Sequence, residues 1–142
     1  LTCGEVLPMS TVHAFQDALP QVKLVNDYST WESGDVGFAI MSTGPDGSCY
    51  MPSKVFAPAG ELAPGKVVAI VDPDTKKLLP KGVPGEVYIG GEGVSDGYFN
   101  KPEVTADRFV NGFLEEMTQR WGGKWYKTGD IGRLTGEPAV LE

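Results

Sequence analysis

The chain has 142 residues, of which 41% are hydrophobic and 22% are charged, and its formal net charge is −7. This length is sufficient for a buried core, and the composition is typical of globular proteins. The negative charge disfavours nucleic-acid binding, which needs a surplus of lysine and arginine. No apolar run reaches membrane-spanning length and no signal-peptide pattern is present, so we expect no membrane partner and a cytoplasmic location.

The ends and the cysteines carry further information. The chain begins at Leu1 without a methionine and stops at Glu142 directly after an apolar run. We therefore expect a piece of a longer protein. Cys3 and Cys49 lack the spacing of a zinc site, and one pair does not make a disulfide framework, so two free or buried thiols are predicted.

The first part of the chain predicts a strand end, a helix and a second strand. The helix is expected over residues 10–19, with Ser10 as its N-cap and Pro20 as its stop. Apolar residues at 22–25 predict a short strand that runs into the polar cluster at 26–30. Residues 1–36 are therefore interpreted as the end of a βαβ subdomain, with ligands expected near the strand end.

Beyond Gly37 the pattern changes to short β segments separated by turns. Strands are predicted at residues 66–71, 86–90, 125–127 and 131–134, and turns at 44–47, 63–65 and 83–85. Thr105 is predicted to cap a short helix that runs through Phe109, followed by an amphipathic turn at 113–117. The predicted class is α/β: residues 37–142 form a distorted mixed β-barrel subdomain, and the whole is a partial domain.

The segment 26–32 combines a flat aromatic ring, two hydroxyl groups and carboxylates beside an apolar strand. Tyr28 could stack on a purine, and Glu32 could place an oxygen on Mg²⁺ next to phosphates. In the alternative interpretation, Tyr28 packs on the core while Asp27 and Ser29 shape a turn. The segment by itself leaves both open.

Two other segments are candidates for ligand binding. Asp130 follows a predicted strand and a glycine, and its two oxygens could accept hydrogen bonds from both hydroxyls of a ribose. A turn stabilised by the same carboxylate is the alternative. The glycine-dense segment 85–98 lacks the strand-to-helix context of a dinucleotide fingerprint, so a structural role is favoured there.

Taken together and in order, the segments resemble the adenylate-forming superfamily, most closely the adenylation domains of nonribosomal peptide synthetases. Residues 3–5 are similar to the family's Gly-Gly-Glu, and 26–32 to Asn-x-Tyr-Gly-Pro-Thr-Glu. Residues 85–98 resemble Gly-Glu-Leu-x-Ile-Gly-Gly-x-Gly-Val-x-x-Gly-Tyr, and 126–130 resemble Tyr-x-Thr-Gly-Asp. The segment 100–109 resembles the family's linking helix, so the likeness covers nearly the whole chain.

The resemblance implies roles for individual residues. It places Gly4 and Tyr28 against adenine with Glu5 as a weaker neighbour, Glu32 at Mg²⁺ or phosphate, and Asp130 at the ribose. Trp31 departs from the family, which has a threonine there that reaches the α-phosphate. Ser29 or Thr30 could supply the hydroxyl instead, or the site is weakened.

The same resemblance implies an acid pocket with walls at Leu1, Cys3, Asp27 and Asp35. Two carboxylates beside a substrate favour a cation, because an unpaired ammonium in a partly buried site costs several kcal/mol. The expected substrate is therefore an amino acid or another amine-bearing carboxylic acid. Both aspartates could instead be solvated loop residues.

The function implied by the resemblance is ATP-dependent activation of a carboxylic acid as an acyl-adenylate. ATP and Mg²⁺ are the implied cofactors, and the acyl group would pass to carrier-protein phosphopantetheine or to coenzyme A. The phosphate loop, the hinge and the catalytic lysine of the family lie outside these residues, so the chain has no catalytic residue and needs the remainder of the adenylation domain as a partner. Alone it is expected to be inactive. An acyl-CoA ligase, a carboxylate reductase-type domain and a non-catalytic scaffold with a decayed nucleotide site are the alternatives.

Overall fold

The computed structural model describes residues 1–41, 55–112 and 123–142. The helices are α1 (Met9–Ala18) and α2 (Pro102–Arg108). The strands are, in chain order, β1 (Leu24–Thr30), β2 (Gly34–Met41), β3 (Gly60–Leu62), β4 (Lys66–Val71), β5 (Gly85–Gly91), β6 (Phe109–Asn111), β7 (Lys124–Gly132), β8 (Leu134–Thr135) and β9 (Val140–Leu141). The predicted turn at 44–47, the amphipathic turn at 113–117 and Cys49 lie outside the described residues.

The first helix is confirmed with its start corrected. Pro8, with an extended backbone, occupies the N-cap position and provides no side-chain hydrogen bond, so Ser10 lies within the first turn instead of capping it. The helix ends at Ala18, one residue short of the prediction, with Leu19 as its C-cap before Pro20. Met9 and Val12 are the buried residues of α1, and they pack in one cluster with Leu24 at the start of β1.

Strand β1 begins at Leu24, two residues later than predicted, and extends to Thr30, five residues beyond the predicted end. The polar cluster at 26–30 belongs to the strand, because it pairs antiparallel with β2 from Leu24↔Met41 to Thr30↔Gly34. On its other side, Thr2 donates to the Val25 carbonyl and accepts from the Asp27 amide in a parallel bridge. The parallel, helix-connected arrangement expected for the first subdomain is thus present, although it continues directly into a hairpin.

The nine described strands form two antiparallel sheets. Their orders are β1-β2-β3-β9-β8 and β4-β5-β7-β6. The predicted strand at 66–71 is confirmed, and 86–90 is confirmed with one more residue at each end. The predicted strands at 125–127 and 131–134 are corrected: β7 runs unbroken to Gly132, because pairing with β5 continues past a bulge, and β8 is separate.

Helix α2 also begins earlier than predicted. Pro102 opens it and Lys101 holds the N-cap position, so Thr105 lies inside the helix and is not its cap. Thr105 Oγ1 instead accepts a hydrogen bond of 2.9 Å from the Tyr98 amide. The helix ends at Arg108, one residue short of the prediction, because Phe109 begins β6.

The largest cluster of buried side chains brings β2, β4, β5, β6, β7 and β9 together. Burial of each Val, Ile or Phe side chain contributes roughly 1.5–3 kcal/mol relative to exposure, so this cluster holds the strands that carry the site. An α/β segment followed by a β subdomain is confirmed. The boundary between residues 36 and 37 stays a prediction, and β2 crosses it. Neither helix in the described part is long and apolar enough to span a membrane.

Candidate nucleotide and acid site

A cavity of about 800 Å³ lies beside the end of β1, within the size range of small-molecule sites. Six parts of the chain contribute to its wall: residues 4–7, the polar part of β1, residues 56–59, the start of β5 with Pro84, the end of β7 with Arg133, and residues 141–142. The predicted site residues that line it are Gly4, Glu5, Asp27, Tyr28, Ser29 and Asp130. Residues far apart in sequence therefore meet at one hollow.

Tyr28 and Asp130 are in direct contact at this cavity. The Tyr28 hydroxyl donates a hydrogen bond of 2.6 Å to Asp130 Oδ2, across a separation of 102 residues. Burial, followed by the bond to the Asp130 carboxylate, raises the pKa of Tyr28 well above that of a free phenol. The phenol therefore stays protonated and remains a donor.

A local backbone feature presents Asp130. Gly129 has a φ of 82°, a conformation that glycine adopts at little cost. The Thr128 hydroxyl donates to the Val87 carbonyl and accepts from the Asp130 amide, each at 2.9 Å. The Thr-Gly-Asp sequence thus forms a bulge tied to β5, and the carboxylate stands on it, exposed to solvent.

Asp27 is a buried carboxylate with an unsatisfied oxygen. Its residue surface is 7% exposed, and Oδ1 has no hydrogen-bond partner among the described residues. Burial, and then the negative charge of Asp35, raise the pKa of Asp27, while the Ser29 hydroxyl lowers it. A buried carboxylate of this kind is stabilised by a donor or a cation from a ligand.

Glu32 lies in the turn between β1 and β2 and is not among the cavity-lining residues. Tyr98 donates a 2.5 Å hydrogen bond to Glu32 Oε1, and the Ser95 amide donates to the Glu32 carbonyl at 2.8 Å. Burial, and then the bond to Glu32, raises the pKa of Tyr98. Burial, and then a hydrogen bond with Tyr98 and the charge of Glu32, raises the pKa of Tyr126. Sequence reasoning missed Tyr98 as a site residue, because its glycine-dense motif favours a structural role.

The hydroxyl groups beside Trp31 have different surroundings. Thr30 Oγ1 lies 2.8 Å from Ser33 Oγ and accepts from the Ser33 amide at 3.1 Å, which closes the hairpin turn. Ser29 instead lines the cavity. Trp31 is 99% exposed. Of the two hydroxyls considered for phosphate contact, Ser29 is the one at the cavity.

Three predicted pocket residues are not in the cavity wall. Leu1, Cys3 and Asp35 are all exposed, and none lines the cavity. Asp35 pairs with Ser29 across the hairpin, and its charge acts on Asp27. Their contact with a substrate stays a prediction.

A further ion pair missed from the sequence borders the cavity. Arg133 donates to Glu142 Oε2 through Nε at 2.9 Å and through Nη2 at 2.7 Å. The two residues are also joined by a pair of backbone hydrogen bonds. No local motif marked this pair, because the contact depends on how the ends of β7 and β9 meet.

The donor set fits a nucleoside and, in a limited way, a metal. The Tyr28 ring and the Asp130 carboxylate provide a flat apolar surface and an acceptor for a diol at one cavity. Within the described residues, no group of three His, Cys, Asp or Glu side chains could hold a metal ion. Magnesium in nucleotide sites is often bound by one or two carboxylates plus phosphates and water, so a single carboxylate is compatible with this role. That Glu32 is this carboxylate stays a prediction.

The chain matches the family model described as AMP-binding enzyme over residues 1–99. It belongs to the AMP-binding enzyme family. Among its relatives is a plipastatin synthase of Bacillus subtilis strain 168, which is 35% identical over 131 residues, covering 92% of this chain and 5% of that protein. Tyrocidine synthase 2 of Brevibacillus parabrevis is 36% identical over 130 residues, covering 92% of this chain and 3% of that protein. This AMP-binding chain thus spans a small part of the relatives it matches.

Solved structures agree with this membership of the AMP-binding family. The crystal structure of IdnL1 superposes with a TM-score of 0.77 at 27% identity, covering 99% of this chain and 26% of that one. The Vibrio cholerae adenylation domain AlmE, in complex with glycyl-adenosine-5'-phosphate, gives a TM-score of 0.75 at 24% identity, covering 98% of this chain and 24% of that one. The second likeness concerns the fold alone.

Proposed function

We propose that these residues form the adenosine-binding and acid-binding side of an enzyme that activates a carboxylic acid with ATP. The products are an acyl-adenylate and pyrophosphate. The observation that carries this proposal is the contact between Tyr28 and Asp130 at a cavity that also contains the buried Asp27. An aromatic ring, a diol acceptor and an unsatisfied carboxylate at one hollow are what a bound aminoacyl-adenylate requires.

The nucleoside occupies the part of the cavity between β1 and β7. The Tyr28 ring packs against adenine, with Gly4 and Glu5 on the neighbouring wall, and Asp130 accepts from the ribose hydroxyls. Charge-assisted hydrogen bonds of this kind contribute about 1.5–3 kcal/mol each. Glu32 is the residue that would hold Mg²⁺, which neutralises phosphate charge when bound. Ser29 provides a hydroxyl near the phosphate side.

The acid substrate is an amino acid or another acid that carries an amine. Asp27 supports this class, because its buried oxygen lacks a partner among the described residues and an ammonium would satisfy it. Leaving one member of a buried charge pair alone costs about 3–5 kcal/mol, so an acid without the amine is disfavoured. The names of the plipastatin and tyrocidine synthases, and the glycyl-adenosine-5'-phosphate bound to AlmE, are consistent with an amino acid substrate.

The acyl group passes next to a thiol, on carrier-protein phosphopantetheine or on coenzyme A. The similarity to peptide synthases favours a carrier protein. The rest of the adenylation domain is the necessary partner, because these residues provide little besides Glu32 to stabilise charge at the α-phosphate. An acyl-CoA ligase or a carboxylate reductase-type protein would share the chemistry and differ in the acceptor. The cytoplasmic location stays a prediction.

The test is acid-dependent exchange of pyrophosphate into ATP by the complete adenylation protein that contains this chain. We expect exchange with at least one amino acid or amine-bearing acid, and none with the same acid lacking the amine. Exchange that requires only amine-free acids would contradict the substrate class while preserving the reaction. Absence of exchange with every acid would contradict the reaction itself.

A scaffold without catalytic activity is the second candidate, and Trp31 favours it. This residue stands where the family has a threonine, and its indole is 99% exposed. ATP separates the two candidates, because a ligand that binds only the folded state raises apparent thermal stability. A rise in melting temperature with increasing ATP supports the enzyme, whereas no change at millimolar ATP supports the scaffold.

A further inference from the structure

The Tyr28 hydroxyl connects the two sheets at the cavity. Tyr28 lies on β1 of the five-stranded sheet, and Asp130 lies on β7 of the four-stranded sheet. The 2.6 Å hydrogen bond between them therefore crosses from one sheet to the other at the proposed nucleoside site. The ring of Tyr28 has a use in stacking, but stacking does not need the hydroxyl.

We propose that the Tyr28 hydroxyl is a positioning group that orients the Asp130 carboxylate toward the ribose hydroxyls. This inference rests on the proposed nucleotide function and adds a second role to a residue that otherwise provides only its ring. It makes recognition of the ribose depend on a phenol that need not touch the sugar.

The surroundings of Asp130 explain why positioning is needed. The residue is exposed and stands on a bulge whose glycine has a φ of 82°. The Asp130 amide donates a hydrogen bond to Thr128 Oγ1, which fixes the backbone at this position but does not fix the side chain. An exposed carboxylate on such a bulge samples several rotamers, and restricting it before binding reduces the entropy lost when the nucleotide binds.

The carboxylate retains enough acceptor capacity for the ribose. An ionised aspartate offers about four lone-pair sites, and the phenol takes one of those on Oδ2. Oδ1 and the rest of Oδ2 remain for two sugar hydroxyls. Because burial keeps the phenol protonated, Tyr28 acts as a constant donor at neutral pH. The bond therefore orients the carboxylate without blocking it.

The test uses Tyr28→Phe in the complete adenylation protein, with ATP, 2'-deoxyATP and 3'-deoxyATP as substrates of the exchange reaction. We expect the KM for ATP to rise about tenfold, the equivalent of one lost charge-assisted hydrogen bond, with kcat changed less than about twofold. With either deoxy nucleotide the same substitution should raise KM by a smaller factor than with ATP, about threefold, because one of the two bonds that Asp130 would direct is already missing.

Tyr88→Phe is the matched control, since it removes another buried phenol hydroxyl from β5, away from the cavity lining. It should leave the preference for ATP over deoxyATP unchanged. Equal losses for all three nucleotides in Tyr28→Phe would overturn the positioning role, and so would no loss at all. Asp130→Ala distinguishes failure of the positioning role from failure of the ribose site. If this variant also leaves the KM for ATP unchanged, the proposed ribose site is wrong.

Discussion

Tyr98 donates a 2.5 Å hydrogen bond to Glu32, which precedes it by 66 residues, and this bond joins the glycine-rich segment after β5 to the hairpin turn after β1. The Tyr98 ring packs edge-on against Phe109, with ring centroids 5.6 Å apart, and its amide is held by Thr105. Phe109 and Thr105 therefore hold Tyr98, which in turn bonds to the Glu32 carboxylate. The orientation of Glu32 is set by residues outside its own motif.

Tyr98→Phe should raise the Mg²⁺ concentration needed for half-maximal exchange in the complete protein. The phenol restrains Glu32, and loss of such supporting bonds around a metal ligand typically costs about 10–100-fold in affinity. The measurement is exchange, and in parallel ATP-dependent thermal stabilisation, titrated with Mg²⁺. Unchanged Mg²⁺ dependence in both would remove Glu32, or its support by Tyr98, from the metal site.

Asp130→Ala should raise the KM for ATP about 10–100-fold, because one or two charge-assisted hydrogen bonds to the ribose are lost. The KM for the acid should change little. Initial exchange rates at varied ATP and at varied acid provide the comparison. Asp74→Ala, in an exposed turn, is the control and should behave as wild type. A variant that loses kcat with an unaltered KM for ATP would argue against ribose binding.

Asp27→Asn should change substrate preference away from amine-bearing acids. The buried oxygen loses its charge, so we expect the ratio of kcat/KM for an amine-bearing acid over its amine-free analogue to fall at least about tenfold. Competition between the two acids in one exchange assay measures this ratio. Equal effects on both acids would show that Asp27 supports the fold of the site without contacting an amine.

The pH dependence of stability should also report on Asp27. Its pKa in the folded protein lies above the ordinary value of 3.8, so folding favours the protonated form. The stability that this proton contributes is present below pH 3.8 and is lost as pH rises through the raised value. The asparagine side chain in the Asp27→Asn variant does not ionise, so the variant does not lose this stability as the pH rises.

Asp27→Asn should therefore stabilise the protein more at about pH 8 than at about pH 4. Each kcal/mol corresponds to about 2–4 °C in the melting temperature of a domain of 150–250 residues. Thermal unfolding of variant and wild type at both pH values provides the test. An equal difference at the two pH values would mean that Asp27 titrates as it does in the unfolded chain.

Two glycines with the same backbone angle provide a matched test of the fold. Gly91 and Gly82 have φ of 89° and 87°, but a Cβ on Gly91 would lie 2.2 Å from the Gly65 carbonyl oxygen, whereas one on Gly82 meets nothing within 4 Å. Gly82→Ala should lower the free energy of unfolding by about 1–2 kcal/mol, because alanine is strained in this left-handed backbone conformation. Gly91→Ala should lower the free energy of unfolding by at least about 2 kcal/mol more than Gly82→Ala, because the neighbouring backbone must move. Similar melting temperatures for the two would contradict the pairing of β4 with β5.

The resemblance implied that Tyr28, Glu32 and Asp130 surround one nucleotide; the structure places Tyr28 and Asp130 together at the cavity, whereas Glu32 lies outside its lining and is bonded to Tyr98. Tyr28 and Asp130 each stand in a short motif whose residue types suit a nucleoside, but those residue types alone left a structural role open. Their joint role was implied by the order and spacing of motifs that resemble the family. Tyr98 stood in a glycine-dense segment with no local sign of a distant carboxylate. Its role became visible only when strand pairing placed 98 beside 32.

The predicted start of α1 and the predicted end of β1 were also wrong. Ser10 is a good capping residue, but Pro8 enters the helix with suitable extended geometry and the helix starts earlier. The polar residues 26–30 have weak strand propensity, yet hydrogen bonds to β2 keep them in the sheet. For residues 26–30, pairing with a neighbouring strand therefore overrode a local preference. The exposure of Asp35 agrees with the alternative that it is a solvated residue, although it lies in β2 and not in a loop.

The most direct measurement of the central claim is a structure of the complete protein bound to a non-hydrolysable aminoacyl-adenylate analogue. We predict that both ribose hydroxyls lie within about 2.5–3.0 Å of the Asp130 carboxylate oxygens, with the Tyr28 ring against adenine and the substrate amine near Asp27. An adenosine bound elsewhere, with Tyr28 and Asp130 still joined to each other and touching no ligand, would contradict the account.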